Sequence, residues 1–60
     1  MDELQKLVHD LRTPLTLVEG FSDLLARRGD DLPAPERDEY LQRIAAAARE
    51  MRELLDATRR

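Results

Sequence analysis

Residues 4–25 read LQKLVHDLRTPLTLVEGFSDLL, and the spacing of their apolar side chains decides the fold. Leu4, Leu7, Val8, Leu11, Leu15, Val18, Phe21 and Leu25 return every three to four positions, the period of one face of an α-helix. Beyond this stretch, Arg27 and Arg28 stand where cations favour a helix C-terminus, and Gly29 is expected at a left-handed cap. Asp30-Asp31-Leu32-Pro33-Ala34 reads as a short connector. Pro35 is expected at the first position of a second helix, with Glu36, Asp38 and Glu39 near its positive end. Leu41, Ile44, Ala48, Met51 and Leu55 carry the helical period on to about Thr58. The expectation is one domain over residues 1–60: helix 1 over about 2–28, a connector at 29–34 and helix 2 over about 35–58.

Heptad lettering assigns the faces. With Leu4 at a, Leu11, Val18 and Leu25 are also a, while Leu7, Pro14 and Phe21 are d. In the second helix Leu41, Ala48 and Leu55 are a, and Ile44 and Met51 are d. Phe21 and Met51 are thus expected in the core. Further apolar residues lie beside this seam, Val8 and Leu15 at e and Leu17, Leu24, Tyr40, Ala47 and Leu54 at g. One partner helix cannot cover so wide a stripe. The expected fold is all-α, an antiparallel helical hairpin that dimerises into a four-helix bundle.

Composition agrees. A chain of 60 residues buries only about 60% of its unfolded surface, and alone it is marginal. Small units gain stability from disulfides, metals or association, and with no cysteine and one histidine, association is the route left. Hydrophobic residues make up 42% but aromatic ones only 3%, against 38% charged, a profile of long helices rather than of sheets or disordered tails. A net charge of −3 argues against nucleic acid as a partner. No apolar run approaches the length of a membrane span and no signal peptide opens the chain, so no direct membrane contact is expected. The lack of cysteine fits a cytoplasmic setting.

Two residues do not suit a purely structural helix. Pro14 lies in the middle of the first periodic stretch, where it removes a hydrogen bond to the Asp10 carbonyl and costs about 3 kcal/mol. A helix kinked at Pro14 is the expectation. The competing reading starts the helix at Pro14, with Thr13 as N-cap and residues 1–12 loose. His9, the single histidine, falls at f and so points to solvent, with Arg12, Thr13 and Thr16 following on its own face.

His9-Asp10-Leu11-Arg12-Thr13-Pro14-Leu15-Thr16 resembles the H-box of sensor histidine kinases, in the dimerisation and histidine-phosphotransfer domain of the HisKA type. Gly20-Phe21-Ser22-Asp23-Leu24-Leu25, the short connector and Tyr40-Leu41 look like the same family, so the resemblance spans most of the chain. It implies a dimer of hairpins and a phosphoacceptor histidine. His9 is expected to take the γ-phosphoryl group of ATP and pass it to an aspartate on a response-regulator receiver domain. One imidazole nitrogen can attack while the other carries a proton. Asp10 would be the general base, although neighbours on a helix diverge by about 100°. Thr13 matches the acid-x-x-Thr/Asn pattern that in this family supports phosphatase activity, by positioning water. Arg12 is a possible phosphate contact, and Pro14 a bending point between kinase and phosphatase geometries. Thr16, Leu17 and Gly20 resemble the surface on which a receiver docks.

The resemblance also sets expectations about what lies elsewhere. Gly20 and Gly29 are isolated, so there is no phosphate-binding loop and the chain is expected to bind no cofactor. ATP and Mg would come through a separate ATP-binding domain of the same kinase. This chain would be a fragment of a histidine protein kinase, inactive alone. Val8 stands where the family more often has Ser or Ala, which bears on how His9 can swing. The alternative is a structural hairpin dimer in which His9 is incidental or inactive. A monomeric relay module is disfavoured, because such modules usually carry four helices in one chain.

Overall fold

Asp2 opens the first helix. Its carboxylate accepts the Gln5 backbone N–H at 2.7 Å and satisfies one of the free donors of the first turn. The computed structural model describes residues 2–58. Helix α1 runs over Glu3–Arg28, a single 3-10 turn over Gly29–Asp31, and helix α2 over Ala34–Ala57. The two helices pack antiparallel along their length, in a hairpin of 44 × 16 × 11 Å. The all-α hairpin read from the periodicity is the fold of this chain.

Helix α1 is continuous through Pro14, which rules out a helix that starts there. The Pro14 side chain is the largest that is fully buried, and Ala47 on α2 is 4% exposed. The register explains the pairing. Phe21 and Tyr40 stack with ring centroids 5.1 Å apart, and Leu7 and Leu54 line one groove near the open end. Pro14 and Ala47 lie midway, seven residues from each of those rungs on their own helices. An alanine opposite the proline ring leaves room for the two axes to stay close. Burial of the ring thus offsets the hydrogen bond that Pro14 cannot donate.

On α1 the sheltered side chains follow a and d (Leu7, Leu11, Pro14, Val18, Phe21 and Leu25), and on α2 d and g (Tyr40, Ile44, Ala47, Met51 and Leu54). Leu4, Val8 and Leu15 on α1 and Leu41 on α2 turn outward, with Leu4 68%, Leu41 52% and Val8 47% exposed. Leu4, Val8 and Leu15 lie within about 40° of one another around α1, so they form one ribbon. Leu41, Ala48 and Leu55 form a matching ribbon on α2, likewise exposed.

The connector differs from expectation at two residues. Gly29 is right-handed (φ −56°, ψ −36°), and no residue among those described has positive φ. The helix tightens into the 3-10 turn instead, where the Leu32 N–H donates to the Gly29 carbonyl at 3.4 Å. Leu32 and Pro33 then break the helical path with extended backbone. Pro33 caps α2, its carbonyl accepting the Arg37 N–H at 3.0 Å, so Ala34 is first in the helix and Pro35 second. The half-buried Arg37 guanidinium also donates to the Gly29 carbonyl at 3.3 Å, tying the end of α1 to the start of α2.

Candidate functional site

His9, Thr13, Thr16 and Gly20 follow one another at steps of four, three and four residues on α1, which keeps them within about 60° around the axis. All four are exposed. Their stripe lies about 120° from the Leu4-Val8-Leu15 ribbon. A body that covers the apolar ribbon leaves the His9 stripe free.

Asp10 faces elsewhere. It is half-buried and lines the groove between the start of α1 and the end of α2, with Glu3, Lys6, Leu7, Leu54, Ala57 and Thr58. Its carboxylate accepts a hydrogen bond from Lys6 Nζ at 3.1 Å. The fold does not bring Asp10 and His9 into contact, as the angle between adjacent helical residues leads one to expect. Among the described residues the Thr13 hydroxyl makes no hydrogen bond, whereas Thr16 Oγ1 donates to the Arg12 carbonyl at 2.9 Å. The back-bonding that often ties threonine down in a helix is thus found at Thr16. Arg12 is exposed, forms no ion pair among the described residues, and borders a shallow groove with Leu4, Gln5, Val8 and His9.

Below His9 the stripe meets a shallow apolar depression lined by Thr16, Leu17, Gly20, Phe21 and Leu24. A Cβ at Gly20 would meet nothing within 4 Å, so no contact inside the hairpin requires glycine there. Glycine inside a helix costs about 1 kcal/mol relative to alanine. Lys6 and Arg37 are the residues that reading the sequence missed. The signal for Lys6 was its spacing of four from Asp10, a common ion-pair step. Among the described residues no three His, Cys, Asp or Glu side chains converge as metal ligands. No helix there is long and apolar enough to cross a membrane.

Comparison with known proteins gives two matches. The model of the His Kinase A (phospho-acceptor) domain matches residues 1–60. The sensor histidine kinase TrcS of Mycobacterium tuberculosis is 42% identical over 48 residues, which cover 80% of this chain and 9% of TrcS. This chain therefore spans less than a tenth of the length of that relative. No solved structure matches.

Proposed function

Because the chain belongs to the His Kinase A (phospho-acceptor) family, we propose that it is the dimerisation and phosphoacceptor domain of a two-component sensor histidine kinase. His9 is the phosphoacceptor in this reading. An imidazole nitrogen attacks the γ-phosphorus of ATP held by a separate ATP-binding domain of the same kinase, with its Mg. The new N–P bond forms as the bond to the β-phosphate oxygen breaks and ADP leaves, and the proton on the other nitrogen passes to Asp10. A receiver aspartate then takes the phosphoryl group, and the N–P bond breaks.

The observation that carries this reading is the separation of faces. His9 is exposed on a stripe turned away from the apolar ribbon, so one face can dimerise while the other meets two successive partners. The depression at Leu17, with Gly20 open beside it, suits close approach by a receiver domain. Arg12 stands free to neutralise phosphoryl oxygens, and the unbonded Thr13 hydroxyl to hold water for hydrolysis of the receiver's aspartyl phosphate. Bending at Pro14 would shift His9 between these two tasks. A cytoplasmic location fits such a domain.

One observation favours the alternative, a structural hairpin dimer with an incidental His9: Asp10 is paired with Lys6 rather than with the imidazole. Phosphate labelling separates the two. With ATP and the ATP-binding domain of its own kinase, the chain should gain base-stable, acid-labile label that is lost in His9→Gln. No label on an intact dimer would establish the structural reading.

A further inference from the structure

We propose that Lys6 is a positioning residue for Asp10: its ammonium holds the carboxylate on the α2 side of the site, and Asp10 meets the imidazole of His9 only when that pair opens. The inference rests on the reading of His9 as phosphoacceptor given above.

The geometry is specific. Lys6 Nζ stands 3.1 Å from Asp10 Oδ2, and the two side chains are 72% and 31% exposed. Asp10 is the sheltered partner and Lys6 the mobile one. Around α1, Lys6 projects between the two residues, about 60° from His9 and about 40° from Asp10, one turn before both. The other charges facing Asp10 are few. Glu3 shares the groove from the same helix, while α2 contributes Leu54, Ala57 and Thr58, none of them charged. Among the described residues the Asp10 carboxylate thus meets no cation other than Lys6 in this groove.

An exposed pair of this kind is weak and is screened by salt, so it biases the carboxylate without locking it. Lysine suits that task. Its ammonium is a point charge on a flexible stem and releases a partner more readily than a bidentate guanidinium. In the closed pair Asp10 is a poor acceptor for the imidazole proton. In the open pair it is free to swing across the angle that separates it from His9.

The test uses the chain itself and phosphoramidate as a small phosphoryl donor. The imidazole nitrogen bonds to phosphorus as the donor's own P–N bond breaks and ammonia leaves, so no other protein is needed. Labelling rates at low salt are compared for the unsubstituted chain, Lys6→Gln, Asp10→Asn and the double variant. Lys6→Gln should raise the rate with Asp10 present, relative to its effect in the Asp10→Asn background, by about two- to fivefold. Lys6→Arg, which holds the carboxylate more tightly, should label no faster than the unsubstituted chain. Three-bond N–Cγ and C′–Cγ couplings of Asp10 report the carboxylate rotamer directly, and they should change from one dominant rotamer to a mixture in Lys6→Gln.

Unchanged Asp10 couplings, or a Lys6→Gln effect equal in the two backgrounds, overturns the role of Lys6 while His9 still takes label. Absence of label on the unsubstituted chain, from phosphoramidate and from ATP with the ATP-binding domain alike, removes the reading of His9 and this inference with it.

Discussion

His9 owes its accessibility to a single angular step. One position earlier, Val8 belongs to the apolar ribbon; one position later, Asp10 turns toward α2. The residues between Lys6 and Thr16 therefore divide into three faces within three turns. Sequence alone revealed the outward-facing histidine, because the period of Leu4, Leu7, Leu11 and Leu15 fixes which way every intervening residue points. It did not reveal that Lys6 holds Asp10. An exposed ion pair depends on the rotamers of two long side chains, and periodicity carries no information about rotamers. Thr13 differs from Thr16 in the same way, since both are permitted to bond back to the helix and only Thr16 does. Thr13→Ala should leave phosphorylation of His9 within about twofold and slow receiver dephosphorylation by at least tenfold, of the order of a lost water-positioning group. Radiolabel transfer to and loss from a cognate receiver would measure both, and equal dephosphorylation rates would assign the free hydroxyl no part in hydrolysis.

At the scale of elements, the two long helices were legible and the joint between them was read with two errors. Both had one cause. A glycine followed by two aspartates and a proline is compatible with a left-handed cap and with a continued right-handed turn, and local rules do not separate them. What separates them is Arg37, eight residues further on, whose guanidinium donates to the Gly29 carbonyl. The Gly29 N–H already donates to the Leu25 carbonyl in a right-handed turn, and the Arg37 tie to the Gly29 carbonyl holds that turn in place. Arg37→Met keeps most of the apolar stem and deletes the donor. It should cost about 1 kcal/mol, read by urea unfolding at fixed protein concentration. Arg37→Lys should recover part of the loss. The heptad assignment holds on α1, where the a and d residues past Leu4 are sheltered, and is displaced on α2, where d and g are. The hairpin closes along Leu7, Pro14 and Phe21 against Tyr40, Ala47 and Leu54, because an aromatic stack and a proline facing an alanine pack two helices more closely than leucines opposite leucines.

For the whole molecule, Leu4, Val8, Leu15, Leu41 and Leu55 remain uncovered, a large apolar surface for so small a hairpin. Association of two hairpins through these ribbons, the bundle proposed above, should make the chain sediment at twice its 6.9 kDa at micromolar concentration. Leu15→Glu introduces a charge in the middle of the ribbon and should shift it to monomer with a loss of helical signal. A folded monomer for the unsubstituted chain would overturn the proposed dimer. One further consequence follows from the Arg37 tie. Among the described residues the hairpin is fastened covalently and by hydrogen bonding at the connector, and at its other end by the Leu7–Leu54 level. Helices joined at one end fray from the other, so amide protons should exchange with solvent along a gradient that steepens away from the connector. His9 lies two residues past Leu7, within the part expected to open most readily, where small openings leave the joint intact.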